Sequence, residues 1–441
     1  MSFFGSISSP LIDEASAPVI RRAMQRARVL GTFAFAQAAV QVISFAAGIL
    51  LVRQLSQREY AYFTIANTMQ GTINILADVG ISIGVVAIGG RVWRDRHRFG
   101  ELIVTALRMR RTLGAVSIAI VTPILYLMLI KNGASFAYAT ILIVLVLAGL
   151  AAQLALSVLS VVPRLHSDID RIRTIDLTGA IARLLVLLAL VFVFLNSGIA
   201  LAVGSATILL QYVMLRRYVG GVIDLEASPN EEDRAAIRGF VRSQAANSIF
   251  FCIQGQITVF LISFFGNRAS SVAEVGALGR LAMIFAVLSN LLTNVFAPAF
   301  ARCQSPRRLR WQYAGVLGAV ASFSAVVLGS AWLFPSAFLF VLGSKYSHLD
   351  RELVLMVAGA VASAFINTLW ALNSSKAWIR GSWLYIPLTL TTQVALIPFT
   401  DFSSVRGVLI FNLISALPNL LLNMVLSYRG FVQAHRAAVA A

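Results

Sequence analysis

Long apolar runs alternate with short polar segments along almost the whole chain. A helix needs about 20 mainly apolar residues to cross the hydrocarbon core of a bilayer, and twelve runs are long enough to do so. They cover approximately residues 29–52, 60–90, 112–130, 136–162, 175–195, 198–215, 239–264, 272–299, 312–334, 353–372, 382–400 and 405–428. The pattern predicts an all-α, polytopic membrane protein of about twelve transmembrane helices.

Two regions of this pattern are irregular. The second run is long enough to contain a break, which we place near Gly80. Pro335, Pro387 and Pro398 interrupt the later runs, and residues 338–342 form a candidate re-entrant segment. The span count is therefore least certain between the ninth and eleventh runs.

One hydrophilic stretch divides the chain into two halves with six runs each. Because six is even, both halves enter the membrane from the same face, as parallel repeats do. We predict an N-lobe at residues 29–216, a linker at 217–238 and a C-lobe at 239–428, with a basic N-terminal segment at 1–28 and a tail at 429–441.

A short internal sequence repeat supports an origin of the two halves by duplication. Arg53 and Glu59 follow the first run, and Arg268 and Glu274 follow the seventh run with the same six-residue separation and an offset of 215. This offset aligns spans 1 and 2 with spans 7 and 8.

The positions of the cations explain the strongly basic composition. The chain has 36 Lys and Arg against 18 Asp and Glu, a net charge of +18, which by itself could indicate nucleic acid binding. If the N-terminus is inside, however, 27 of these cations lie in cytoplasmic segments and 7 on the other side. Cytoplasmic loops are enriched in Lys and Arg. We therefore predict cytoplasmic termini, contact with anionic lipid head groups and no nucleic acid partner.

Residues that would support catalysis or metal binding lack the necessary spacing. Two cysteines and four histidines are scattered along the chain without a metal-ligand pattern. There is no phosphate-binding loop and no hydrolase or kinase signature. We therefore expect no enzyme activity, no metal and no cofactor.

Polar side chains form stripes on four of the predicted spans. The first stripe contains Gln37, Gln41, Ser44 and Gly48, and the second contains Asn67, Gly71, Asn74 and Asp78. Span 7 carries Gln244, Asn247, Gln254 and Thr258, and span 8 carries Asn294 near the face of Arg280. Polar residues can line a water-filled cavity or join neighbouring helices. For the four stripes jointly we favour a cavity between the halves, whereas for any single residue helix packing is the better interpretation.

Charged residues inside the spans are the sharpest site candidates, since each costs about 2.5–3.5 kcal/mol on insertion. Arg280 offers a bidentate fork for phosphate; the alternatives are a structural ion pair or an arginine that reaches the interface. Arg183 is a second candidate, although it shares a face with Asp176 and could pair with it. Asp78 could couple transport to H⁺ or Na⁺, or could lie at the helix break. Arg53 and Arg268 lie near the predicted cavity mouth, where they could equally be solvated.

Several short elements resemble a known family. They are Leu51-Val52-Arg53-Gln54-Leu55-Ser56, Glu59-Tyr60-Ala61-Tyr62-Phe63, Asp78-Val79-Gly80-Ile81 and Leu342-Gly343-Ser344-Lys345-Tyr346. Together they resemble the polysaccharide-biosynthesis (O-antigen, Wzx-type) flippases of the multidrug/oligosaccharidyl-lipid/polysaccharide (MOP) exporter superfamily. Ala61 and Leu342 depart from the family pattern, which usually has Gly and Phe there.

This resemblance implies two six-helix lobes around a central cavity, in a bacterial inner membrane. It implies translocation of undecaprenyl-pyrophosphate-linked oligosaccharides to the periplasmic leaflet by alternating access, with Arg280 facing the pyrophosphate. A polysaccharide polymerase and co-polymerase would then be partners. The alternatives are a MATE-like exporter of drugs or other organic solutes and, ranked last, a membrane-embedded polymerase or ligase.

Overall fold

The computed structural model describes residues 38–166, 168–191, 194–266, 268–285, 300 and 305–440. In these ranges all regular elements are helices. The first half contains α1 (Ala38–Gln54), α2 (Gln57–Asp78), α3 (Ile81–Val92), α4 (Arg96–Lys131), α5 (Phe136–Leu159), α6 (Val161–Leu165), α7 (Ile169–Val191) and α8 (Ser197–Val222). The second half contains α9 (Glu231–Phe265), α10 (Ala269–Leu281), α11 (Pro306–Leu333), α12 (Pro335–Leu342), α13 (Asp350–Ser375), α14 (Tyr385–Leu396) and α15 (Val405–Ala440).

Each of the twelve predicted runs coincides with a helix or a consecutive pair of helices in the described residues. Eight helices are long and apolar enough to cross a membrane, and the bent pair α2–α3 adds a ninth span. The remaining runs correspond to α1, α10 and α14, which are shorter in the described ranges. The predicted all-α polytopic fold is confirmed.

Polar side chains at the helix starts explain where several of these helices begin. Ser56, Ser135 and Asn196 each accept a hydrogen bond from a backbone N–H in the first turn of α2, α5 and α8. Asp95 and Asn230 do the same for α4 and α9. Side chains of this kind satisfy donors that have no partner within the helix. Short polar linkers thus end one span and start the next.

The second span breaks near Gly80, as the sequence predicts. Val79 has φ 31° and Gly80 has φ 92°, which is left-handed backbone that glycine adopts without steric cost. Asp78 accepts hydrogen bonds from the backbone N–H and hydroxyl of Ser82, at 3.1 and 2.7 Å. The chain bends by 46° between α2 and α3.

Two predicted boundaries differ from the structure. Helix α4 begins at Arg96 rather than near residue 112, so most of the predicted basic loop is helical. A hydropathy run starts where apolar residues start, but a helix can continue through arginines whose apolar stems stay in contact with the protein. The candidate re-entrant segment is the eight-residue helix α12, whose Leu339 and Leu342 are buried between α11 and α13.

The segment between the two halves is docked on α4. Its non-helical part is residues 223–230. Arg98 forms two hydrogen bonds with Asp233, at 2.5 and 2.7 Å, and the backbone N–H of Asn230 donates to Thr105 Oγ1 at 2.8 Å. Hydrogen bonds from the His97 ring and the Glu226 N–H lower the pKa of Asp224.

The buried apolar residues form three clusters, and their placement describes the packing of the two halves. The largest cluster lies toward the predicted periplasmic end and contains residues of both halves, among them Tyr60, Leu129, Ala273 and Leu353. At the predicted cytoplasmic end the described residues form two separate clusters. One joins α3, α4, α6 and α8 with the start of α9, and the other joins Phe300, α11 and α13. The halves are thus packed together at one end and have separate cores at the other.

The predicted topology places the loops at each end of the helices on one side of the membrane, which can be tested. Reporter fusions at Arg96, Arg234 and Arg308 should be cytoplasmic, because cytoplasmic segments are enriched in Arg and Lys. Fusions near Asn132 and Ser403, at the opposite end, should be periplasmic. The measurement is paired alkaline phosphatase and fluorescent-protein activity at each position. A periplasmic signal at any of the three arginines would contradict the orientation.

Candidate functional site

Arg280 lies where α10 packs against α1 and α2. Its Nε is 3.4 Å from Tyr60 Oη, and its guanidinium carbon lies 6.0 Å from the centre of the Phe63 ring. A Cβ at Gly48 would be 3.3 Å from Arg280 Cδ, so glycine at this position lets the arginine lie close against α1. The guanidinium of a C-half helix is therefore held by N-half residues.

Arg183, on α7 of the N-half, is the second cation of this site. Its Nε is buried and has no hydrogen-bond partner among the described residues. The predicted alternative, in which Arg183 pairs with Asp176, is not among the ion pairs of the described residues.

The described residues provide no carboxylate partner for either arginine within ion-pair distance. An anionic group that reached either guanidinium could accept charge-assisted hydrogen bonds from it. The arrangement is therefore suited to an anion.

Asp78 lies at the helix break and forms an ion pair with Arg110 of α4. The distance from Arg110 Nη1 to Asp78 Oδ1 is 2.7 Å, and Arg110 Nη2 donates to Asn74 Oδ1 at 3.0 Å. The side chain of Arg110 is only 2% exposed, while that of Asp78 is 32% exposed. Asn74 and Asp78 thus join α2 to α4, and ion coupling through Asp78 stays a prediction.

Sequence reasoning missed Arg110 because it assigned this residue to a cytoplasmic loop. The sequence contained only a weak indication that Arg110 lies in a helix. No glycine or proline separates residues 101–112 from the apolar run that follows, which would allow a helix to start well before that run. The pairing with Asp78, 32 positions earlier, could not be read from spacing.

The other predicted stripe residues occupy different surroundings. Asn67 is exposed and Gln41 is half-buried. Gln254 exchanges two amide hydrogen bonds with Gln393 of α14, at 3.0 and 2.7 Å. Gln37 and Asn294 lie outside the described residues, so their predicted cavity role stays a prediction.

Arg53 and Lys345 connect the two halves at the predicted periplasmic end. Arg53 donates to the carbonyls of Val341 and Phe340, at 2.9 and 2.5 Å. Lys345 Nζ donates to the carbonyls of Arg53 and Leu55, at 2.9 and 2.8 Å. We call this group the clasp. It joins two of the sequence elements that carry the family resemblance.

The internal sequence repeat between the two halves has a structural counterpart. Glu59 accepts hydrogen bonds from Tyr138 Oη at 2.7 Å and from the Ser197 N–H at 2.8 Å. Glu274 pairs with His348 Nε2 at 3.4 Å. Each carboxylate connects the second span of its half to the start of the fourth span. Arg53 and Arg268 are both exposed, and Arg53 donates hydrogen bonds to carbonyls of the other half.

Comparison with solved structures identifies proteins of the same fold. An inward-facing conformation of a multidrug resistance MATE family transporter of the MOP superfamily aligns with TM-score 0.66 and 15% identity, covering 92% of this chain and 98% of that one. An outward-facing conformation of such a transporter aligns with TM-score 0.56 and 17% identity, covering 92% and 94%. A MOP superfamily transporter from Pyrococcus furiosus, described by a reverse polarity of its binding pocket that suggests a different function, aligns with TM-score 0.56 and 16% identity, covering 92% and 94%.

No protein-family model and no curated protein sequence matches the chain. The structural likenesses at this low identity establish the fold, which is the two-lobe fold of MATE transporters, and do not establish a substrate.

Proposed function

We propose that this protein is a flippase that moves undecaprenyl-pyrophosphate-linked oligosaccharides from the cytoplasmic to the periplasmic leaflet of a bacterial inner membrane. The observation that carries this proposal is the pair Arg183 and Arg280. These cations come from opposite halves and have no carboxylate partner in the described part of the chain. A diphosphate supplies the missing negative charge.

The physical problem that such a protein solves is desolvation. Sugars and a diphosphate lose strong hydration when they enter hydrocarbon, and burial of an unpaired charge is especially costly. A polar, cationic cavity between two lobes shelters the head group while the polyprenyl tail remains in lipid. Rocking of the lobes then exposes the cavity to each side in turn. No covalent step is needed, and polymerase and co-polymerase partners would act on the product.

The clasp gives this cycle a defined barrier. In the structure it closes the predicted periplasmic end, so release of the substrate on that side requires the hydrogen bonds of Arg53 and Lys345 to break. Lys131 and Asn132 add further contacts at this end, to the carbonyls of Phe264 and Ser263. Net hydrogen bonds contribute about 0.5–1.5 kcal/mol each, so a few of them can set the population of the outward-open state.

Weakening the clasp should therefore increase periplasmic opening. Lys345→Met removes two hydrogen bonds and should raise the labelling rate of a cysteine at Thr64, which is buried at the seam between α2 and α10. The measurement uses a membrane-impermeant thiol reagent in a chain whose Cys252 and Cys303 have been replaced. We expect an increase of about tenfold, from the loss of roughly 1–3 kcal/mol.

Lys376→Met is the matched control, because Lys376 lies at the opposite end of the C-half beside Phe300. It should leave the labelling rate unchanged. Equal rates in the Lys345 and Lys376 variants would show that the clasp does not limit opening.

A MATE-like exporter of organic solutes is the second candidate, and the structural likeness favours it. An exporter of organic cations needs acidic groups free to meet its substrate. In the described helices Glu59, Asp78 and Glu274 already have partners, whereas Arg183 and Arg280 form no ion pair with a described carboxylate. A protein of the same fold is described as having a binding pocket of reverse polarity that suggests a different function.

Reconstitution separates the two functions. Purified protein in liposomes should expose a fluorescently tagged polyprenyl-pyrophosphate oligosaccharide to an added glycosidase, and should not drive efflux of a lipophilic dye cation. H⁺ or Na⁺ gradients applied in the same liposomes would reveal the coupling ion. Dye efflux without glycolipid exposure would favour the exporter and refute the flippase.

A further inference from the structure

The C-half contains a cavity of its own, separate from the arginine pair. It has a volume of about 620 Å³ and lies between α9, α13, α14 and α15, with Ala282 and Phe285 closing one side beyond α10. Sites for small molecules usually measure about 300–1,000 Å³. The cavity is therefore large enough for an organic ligand and much larger than a single ion requires.

The polar lining consists of amides and hydroxyls, and none of the described residues that line the cavity is charged. On α13, Ser363 and Asn367 lie four residues apart and are accessible. On α15, Asn412, Ser415 and Asn419 lie on one face at helical spacing. Amide and hydroxyl groups both donate and accept hydrogen bonds, so this lining matches a ligand that is neutral and rich in hydroxyl groups.

Two hydroxyls in this lining are buried without a partner. Thr389 is 4% exposed and Ser415 is 2% exposed, and neither side-chain oxygen has a hydrogen-bond partner in the described residues. Buried polar groups are nearly always hydrogen-bonded in native proteins. Because both residues line the cavity, their hydroxyls have unused hydrogen-bonding capacity for a polar ligand.

Aromatic rings form one wall of the same cavity. Phe250 and Phe251 line it, and their ring centres lie 5.2 and 5.1 Å from that of Tyr385. A sugar ring combines an apolar C–H face with a rim of hydroxyls. An aromatic wall opposite amide and hydroxyl groups is complementary to both parts.

We propose that this cavity binds the neutral sugar rings of the transported glycolipid, while Arg183 and Arg280 meet its diphosphate. This inference rests on the proposed flippase function and adds a second subsite to it. An apolar drug would leave the buried hydroxyls of Thr389 and Ser415 without a hydrogen-bond partner, and a cation would find no carboxylate among the described lining residues. A neutral oligosaccharide satisfies both constraints.

The test is binding of free ligands to the purified protein in detergent. The probes are N,N′-diacetylchitobiose and maltotriose as neutral sugars and inorganic pyrophosphate as the anion, measured by saturation-transfer NMR titration. The double variant Thr389→Val/Ser415→Ala removes both hydroxyls with little change of shape. It should weaken sugar binding by about tenfold or more and leave pyrophosphate binding unchanged.

Two further variants control for unspecific effects of substitution and for poor folding of the double variant. Thr391→Val is the matched control, since Thr391 is an exposed threonine on the same helix, and it should bind sugars as the wild type does. Asn367→Leu removes an accessible amide that needs no partner for folding, and it should weaken sugar binding even if the double variant folds poorly. Thermal unfolding of each variant reports whether it is folded.

Arg280→Ala separates this proposal from the proposed function. It should lose pyrophosphate binding and retain sugar binding. Absent pyrophosphate binding by the wild type, with sugar binding intact, would refute the pyrophosphate-linked substrate and leave the sugar site standing. The sugar site would be overturned if neutral sugars bind to neither the wild type nor the control, or if the folded double variant and Asn367→Leu both bind them as strongly as the wild type does.

Discussion

Arg280→Ala should reduce glycolipid flipping by about a hundredfold while the protein remains in the membrane at normal abundance. A guanidinium can make two charge-assisted hydrogen bonds to a phosphate, each contributing about 1.5–3 kcal/mol, and a loss of roughly 3 kcal/mol corresponds to about a hundredfold. The measurement is glycosidase exposure of the tagged glycolipid in liposomes, together with export of surface polysaccharide in cells.

Two comparisons make this result specific to the guanidinium. Arg280→Lys keeps the charge but loses the planar fork, so its flipping rate should fall between those of wild type and Arg280→Ala. Arg351→Ala, an exposed arginine at the start of α13, should behave as the wild type. Normal flipping and export by a stably expressed Arg280→Ala variant would refute the assignment of this residue.

Arg110→Ala should be the most destabilising single substitution that we propose. Arg110 is almost fully buried and pairs with Asp78 at the break between α2 and α3. Removal of one partner of a buried ion pair leaves the other charge uncompensated and costs about 3–5 kcal/mol. Because Asp78 is 32% exposed, partial hydration reduces the penalty toward the lower end of that range. Thermal unfolding in detergent should show a lower midpoint by roughly 6–12 °C.

The double variant Arg110→Met/Asp78→Asn provides the internal test. It removes both charges at once, so it should recover most of the stability that Arg110→Ala loses. Arg108→Ala is the matched control, since Arg108 is exposed on the same helix. If Arg110→Ala and Arg108→Ala unfold at the same temperature, the ion pair does not stabilise the helix break.

The predictions that succeeded depend on local chemistry. An apolar run of sufficient length predicts a span because each backbone N–H and C=O in hydrocarbon must be paired within its own helix. The break near Gly80 is likewise local, since it depends on the backbone freedom of one residue. The similarity between Glu59 and Glu274 was also visible in the sequence, because repeated halves keep equivalent residues at a constant offset.

The candidate site was predicted only in part. Arg280 and Arg183 were recognisable as charges inside apolar runs. The sequence offered Asp176, two helical turns before Arg183, as a partner for it, but that pair is not among the ion pairs of the described residues. The bonds of Gln254 with Gln393 and of Arg53 with Val341 join positions far apart in the chain. No periodicity within one helix contains information about such partners.

The sequence by itself determined the helical class, the approximate positions of the spans, their break near Gly80 and the presence of uncompensated cations in the membrane-spanning part. Tertiary structure alone decided which of these polar groups meet: Arg110 with Asp78, Arg280 with Tyr60 and Phe63, and the polar faces of α13 and α15 around one cavity. The physical reason is that a span forms through bonds within a single helix, whereas a site forms where side chains from several helices converge, and that convergence depends on how the helices pack.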